Sequence, residues 1–228
     1  MTTAKPITIM LAEDHAIVRQ GLSALLNADG AFKMVGEARN GREAVEMALR
    51  LKPHVILMDI AMPELNGLEA TRQILAAQPA AKIIILSAHS DNEYIERTTE
   101  AGVAGFLEKQ TSAEILTKAI REVAAGKKFF SPGIARRLPN DPHQPRGRDG
   151  LIKAKGTKLT SRETEVLQLV AEGSANKQVA AALGISIKTV EKHRQHLMDK
   201  LNIHETAGLT RYAIAAGVIE SSVQLTVV

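Results

Sequence analysis

The chain has 228 residues, 45% of them hydrophobic, so it can bury a real core, and its length suits one large domain or two small ones. It has no cysteine, which excludes disulfides, a thiolate metal site and a cysteine nucleophile, and fits a reducing cytosol. The net charge is only +4, no apolar run approaches the roughly 20 residues of a membrane span, and the N-terminal MTTAKPITIMLAED turns acidic where a signal peptide would stay apolar, so a cytoplasmic protein with no membrane contact is expected.

From the N-terminus, short apolar runs alternate with amphipathic stretches. The runs are ITIMLA (7–12), KMVGEA (33–38), VILMD (55–59), KIIILS (82–87) and AGFLEK (104–109). Helical patterns lie near 15–27, 41–51, 66–78, 91–101 and 112–125. Runs this apolar suit strands covered on both faces, and the alternation predicts a parallel α/β sheet of flavodoxin-like, doubly wound (βα)5 type. Ligands in such sheets bind beyond the carboxyl ends of the strands, at the topological switch point.

The predicted strand ends carry Glu13 and Asp14, then Asp59, Ser87 and Lys109. Three carboxylates on one rim repel each other unless a cation sits among them, and a hard oxygen-only site with open positions suits Mg²⁺. Lys109 can pair with a carboxylate or an incoming anion, and Ser87 can hydrogen-bond a phosphoryl oxygen. This layout predicts phosphoryl transfer to an aspartate. Each residue alone has a simpler reading: Asp14 as a helix N-cap, Lys109 as a solvated charge, Ser87 as the start of a turn. Their joint appearance at four of five strand ends favours a functional site.

Residues 5–125 resemble the receiver domain of two-component response regulators, through Glu13-Asp14, LMDIAMPELNGLEA around Asp59, ILSAHSD around Ser87 and AGFLEK around Lys109. The resemblance implies that a sensor histidine kinase phosphorylates Asp59. It implies that Glu13, Asp14, Asp59 and the backbone carbonyl of Ala61 hold Mg²⁺. It also makes Ser87 and Lys109 phosphoryl contacts and Phe106 a switch aromatic. Gln110 follows the lysine, where many receivers have proline, as in the NarL/FixJ-type subgroup. An aspartate-nucleophile phosphatase would need a second acid two residues after Asp59. Ala61 stands there, so hydrolytic water is poorly placed and no autonomous enzyme is expected; His89, two residues after Ser87, either lines the loop or orients water.

Residues 1–130, the expected receiver, hold 15 Lys+Arg against 16 Asp+Glu, a net of −1. Residues 131–158 hold 7 against 2, a net of +5, with Pro132, Pro139, Pro142 and Pro145 and neither secondary-structure period, which predicts a linker. Residues 159–219 are predicted to be helical throughout. Thr160 or Ser161 caps a helix carrying Val166, Leu167, Leu169 and Val170. NKQVAAALGIS ends at Gly184, and IKTVEKHRQHLMDKL follows, so the pair reads as a helix-turn-helix. In the third helix Val190, Leu197 and Leu201 form the inward stripe. Lys188, Lys192 and Gln195 lie opposite, with Arg194 toward a flank. Lysines near a helix N-terminus oppose the macrodipole, so phosphate or base contact explains them better than helix stability. A merely solvated polar face explains the charges equally well.

LTSRETEVL, SANKQVAAALGIS and KTVEKHRQHLMDKL resemble the LuxR-type helix-turn-helix. That resemblance implies double-stranded DNA contacts by Lys177 and the face comprising Lys188, Thr189, Lys192, His193, Arg194 and Gln195. It further implies a homodimer, formed through the last helix, on a two-fold symmetric operator. The sequence therefore predicts a transcription regulator switched by phosphorylation of Asp59. The alternative is a LuxR-type regulator with a vestigial or partner-controlled receiver. Residues 220–228 form a tail whose pattern is either a frayed end or an edge strand.

Overall fold

A computed structural model describes residues 5–88, 92–136 and 159–219. His89, most of the predicted linker and the tail lie outside the described residues. The first unit runs β1 (Ile7–Ala12), α1 (Ala16–Ala28), β2 (Phe32–Ala38), α2 (Gly41–Leu51), β3 (Val55–Asp59), α3 (Gly67–Ala77), β4 (Ile83–Ser87), α4 (Asn92–Glu100), β5 (Gly105–Glu108) and α5 (Ala113–Ala124). The sheet is parallel throughout in the order β2-β1-β3-β4-β5-β6, where β6 is Phe129–Phe130.

Strand periodicity divides the core into two layers. Met10, Ile56, Met58, Ile83 and Ile85 pack on one face with Ala44 and Ala48 of α2 and Ile74 of α3. Their neighbours Ile9, Leu11, Leu57, Ile84 and Leu86 pack on the other with Leu26 of α1 and Leu116, Ile120 and Val123 of α5. Burial of both faces is why these strands read as unbroken apolar runs. The order reverses at β1 and β3, so the ends carrying Glu13, Asp14 and Asp59 adjoin.

The first unit extends further than the sequence predicts. After β6, α6 (Pro132–Ala135) places Ile134, fully buried, in the core with Phe106. Residues 131–136, assigned to the linker by composition, therefore pack against the sheet. Two strand residues and one helical turn are too short to show either period.

The second unit contains α7 (Ser161–Ala171), α8 (Asn176–Leu183), α9 (Ile187–Leu201) and α10 (Thr206–Ala215). Thr160 and Glu163 form a reciprocal capping box at α7, and Ser186 accepts a bond from Thr189 N at the start of α9. Gly184 closes α8 with φ of +62°, a left-handed conformation that glycine adopts without a Cβ penalty, and this sets the turn into α9. Val166, Leu167, Leu169, Val170, Val190, Leu197 and Leu209 are buried in one core, with Leu201, Tyr212 and Ala216 partly buried against it. Among the described residues no helix is long and apolar enough to cross a membrane.

The two units meet at a polar seam on α7. Gln168, 1% exposed, donates through Nε2 to Met62 O at 2.9 Å, and its Oε1 accepts from Asn66 N at 2.8 Å and Asn66 Nδ2 at 3.2 Å. Glu165 accepts from Gln73 Nε2 at 2.8 Å and lies 3.3 Å from Arg42 Nη2, while Glu64 N donates to the Glu172 carboxylate at 3.2 Å. Truncating Gln168 leaves Met62 O and Asn66 N without these partners, at a cost to docking of about 1–3 kcal/mol. Gln168→Ala is expected to increase the radius of gyration in small-angle scattering; an unchanged radius would contradict this role.

Candidate phosphoacceptor site and DNA-reading face

Asp59 is the last residue of β3 and is 2% exposed. Lys109, just after β5, brings Nζ to 2.8 Å from Asp59 Oδ2 and 2.9 Å from Glu13 Oε2. Its backbone N–H donates to Ser87 O at 2.8 Å, tying the ends of β4 and β5 together. Ser87 is buried at the end of β4. Glu13 is fully buried, and Asp14 is half-buried beside it. The structure thus gathers Glu13, Asp14, Asp59 and Lys109 into one contact group, with Ser87 at the adjoining strand end.

Electrostatics follow from burial. Removing Asp59 from water, then placing Glu13 beside it, pushes its carboxyl up to about 7 despite Lys109. Burial alone would lower the Lys109 ammonium, but Asp59 and Glu13 outweigh it and hold its pKa above the usual lysine value. Glu13 Oε2 is buried against Lys109 Nζ, and Asp14 Oδ1 is buried 2.9 Å from His15 Nδ1. Three carboxylates, Glu13, Asp14 and Asp59, crowd this rim around Lys109, an oxygen donor set that fits a hard divalent cation.

The turns around the rim are fixed locally. Arg19, 8% exposed on α1, donates from Nη1 to Glu13 O at 2.8 Å and Asp14 O at 3.2 Å, so it clamps the end of β1. After β3, Gly67 N donates to Ile60 O, and the Asn66 side chain caps α3 by accepting from Glu69 N. Ala61 lies within that loop. Glu64 there has φ of +65°, an uncommon conformation for a non-glycine residue, and its N–H is held by Glu172. Arg19 carried no periodic signal for this clamp, whereas Asn66 three residues before Glu69 is a local helix-capping pattern.

Phe106, the aromatic of β5, lies inside the core. It is fully buried between β4 and β6, in the layer containing Ile85, Phe130 and Ile134. The β6–α6 segment packs against the ring through Phe130 and Ile134.

On the second unit, Lys177, Lys188, Lys192 and Gln195 are exposed. Gln195 Nε2 donates to Asp199 Oδ1 at 2.8 Å, and Thr189 shares a hydroxyl hydrogen bond with the Ser186 cap. His193 is half-buried. Arg194 has structural partners that the helical wheel could not reveal: Asn176 Oδ1 at 2.7 Å and Thr206 Oγ1 at 3.2 Å, which fasten α9 to α8 and α10. The seam uses α7, so the outward face of α9 stays open while the units are docked.

A rim of this kind on a parallel sheet, followed by a four-helix unit with an open second helix after the Gly184 turn, defines a receiver joined to a helix-turn-helix. Residues 9–121 match the response regulator receiver domain family, and residues 157–213 match the bacterial regulatory proteins of the luxR family. The transcriptional regulatory protein DegU of Brevibacillus brevis is 35% identical over 87% of this chain and 89% of its own. MctR of Rhizobium johnstonii is 35% identical over 96% and 98%. Among solved structures, RcsB of Salmonella enterica serovar Typhimurium bound to promoter DNA with a phosphomimetic is 26% identical, with a TM-score of 0.55, over 91% of this chain and 98% of RcsB. The chain belongs to the two-component-type response regulators with a LuxR-type DNA-binding domain.

Proposed function

We propose that this regulator is switched by transfer of a phosphoryl group from a sensor histidine kinase to Asp59, and that the switched form binds a two-fold operator as a homodimer. The observation that carries this is the Asp59–Lys109–Glu13 contact at the switch point of the sheet. In the reaction, the ionised Asp59 carboxylate attacks phosphorus and the imidazole of the donor leaves. Lys109 turns from Asp59 to a phosphoryl oxygen, and Ser87 donates to another. Glu13, Asp14, Asp59 and the Ala61 carbonyl would hold Mg²⁺, which when bound neutralises charge on the transferring oxygens.

The raised Asp59 carboxyl sets a pH dependence. Cation binding needs the carboxylate, so apparent Mg²⁺ affinity should fall on the order of tenfold per pH unit below about 7 and level off above it. Magnesium titrations from pH 5.5 to 8.5 check this; a flat profile would contradict it.

The loop 60–66 follows Asp59 directly, and Gln168 and Glu172 dock on that same loop. Phosphorylation and docking are therefore linked through that loop. The α10 surface with exposed Ile214 and Arg211 is the proposed dimer contact, and Lys177, Lys188 and Lys192 the proposed phosphate contacts. RcsB dimers have been seen on DNA, which supports this arrangement. The test is a duplex selected from a random pool, with affinity measured before and after phosphorylation and across salt. Phosphorylation should tighten binding, and Lys188→Ala with Lys192→Ala should weaken it and flatten the salt slope by roughly 2. Equal affinity in both states would reject the switch.

A further inference from the structure

Ile187 and Glu191 lie one turn apart at the start of α9, and the packing of the second unit uses neither side chain. Ile187, the first residue of the helix, is 45% exposed and stands outside the apolar core that Val190 and Leu197 enter. Glu191 is exposed as well. Lys188 at i−3 and Gln195 at i+4 are within reach of its carboxylate. Gln195 donates to Asp199 instead, and among the described residues the Glu191 carboxylate has no hydrogen bond or ion pair.

Neither group helps to bind the phosphate backbone. The Ile187 side chain is apolar, and Glu191 repels phosphate, which subtracts from the attraction supplied by Lys188 and Lys192. A single exposed apolar residue is ordinary on a protein surface. This one sits in the N-terminal turn, where the second helix of a helix-turn-helix meets base edges.

The major groove offers each group a partner. Its apolar feature is the thymine C5 methyl. A carboxylate can only accept, and the base-edge donors are cytosine N4 and adenine N6. Adenine sets the acceptor N7 beside its donor, so cytosine is the better match. Both targets are therefore pyrimidine edges. Cβ atoms at i and i+4 stand about 5–6 Å apart, against about 3.4 Å per base step along one strand. One strand can present both bases within two steps.

We propose that Ile187 and Glu191 are specificity-determining residues that read a thymine and a cytosine, respectively, no more than two steps apart on one strand of each half-site. This rests on the reading of α9 as the helix that enters the major groove. Lys188 and Lys192 supply affinity, while Ile187 and Glu191 supply the choice of sequence.

The experiment selects duplexes from a random pool with the full chain, treated with a phosphodonor and Mg²⁺, as wild type, Ile187→Ala and Glu191→Ala. Both side chains lie outside the core, so the variants keep the fold. The wild-type consensus is expected to contain the thymine and the cytosine. Uracil in place of that thymine removes only the methyl, and should weaken wild type on the order of threefold to fivefold but Ile187→Ala by less than about twofold. Replacing the G·C pair of that cytosine by A·T should weaken wild type on the order of tenfold or more, and Glu191→Ala by less than about threefold. A carboxylate that only repels phosphate predicts otherwise: Glu191→Ala would bind every duplex more tightly by one factor and keep the wild-type consensus. That result would overturn the Glu191 assignment, and an Ile187→Ala protein as sensitive to uracil as wild type would overturn that of Ile187. A wild-type chain that enriches no duplex sequence would overturn the DNA-reading role of α9 itself.

Discussion

Gly67→Ala is expected to be among the most damaging single-methyl additions to this protein. A Cβ built at Gly67 would stand 1.8 Å from the Asp59 carbonyl oxygen and 2.8 Å from its carbon. Those atoms are backbone at the end of a central, fully buried strand, so no side chain can swing aside. Either α3 retreats from β3, breaking the Gly67 N to Ile60 O hydrogen bond, or Asp59 moves. Overpacking of this kind costs about 3 kcal/mol or more when backbone must shift. Chemical denaturation should show that loss in the receiver transition, and variants that still fold should lose phosphorylation. Gly41 makes a parallel case, with a Cβ 2.0 Å from Leu65 O on the far side of the same loop. A Gly67→Ala protein with wild-type stability would mean that the loop after Asp59 is held less tightly than the geometry states.

Asp59→Asn should have the opposite effect on stability while abolishing phosphorylation. The folded carboxyl is raised from 3.8 to about 7, first by burial and then by Glu13. A raised carboxyl contributes stability below the unfolded value near 4, and that contribution is lost as pH rises through about 7. At pH 8 without metal, the ionised Asp59 therefore destabilises the fold by a few kcal/mol, since each tenfold change in proton affinity between the folded and unfolded chain corresponds to about 1.4 kcal/mol. The amide removes this charge, and Lys109 keeps Glu13 as a partner. The expected result is a variant more stable than wild type at pH 8 and nearly equal to it at pH 4. Saturating divalent cation should narrow the pH 8 gap by stabilising wild type. A variant less stable than wild type at pH 8 would show that the Lys109 pairing outweighs desolvation.

Much of this architecture is legible in the chain itself, for identifiable reasons. The five long strands announce themselves because both faces are buried, and the rim residues follow because they end those strands. In the second unit, Val190, Leu197 and Leu201 were readable as an inward stripe because a helix repeats its environment every few residues. What escaped reading depends on contacts distant in sequence. β6 and α6 are too short for any period, although Phe130 and Ile134 pack in the core with Phe106. Gln168 reads as one polar residue on an amphipathic helix, and only the partner loop 102 residues away shows why it is buried. Arg194 bonds Asn176 and Thr206, partners that a helical wheel of α9 alone cannot show. His15 carries no periodic signal at all, because its contacts with Glu13 and Asp14 depend on the direction of one ring.

The most direct measurement of the central claim is intact mass after incubation with a small-molecule phosphodonor and Mg²⁺, beside an Asp59→Ala control. One phosphoryl adduct is expected on wild type, absent from the control and absent when the cation is chelated. No adduct on folded wild-type protein, or an adduct that persists in Asp59→Ala, would contradict it.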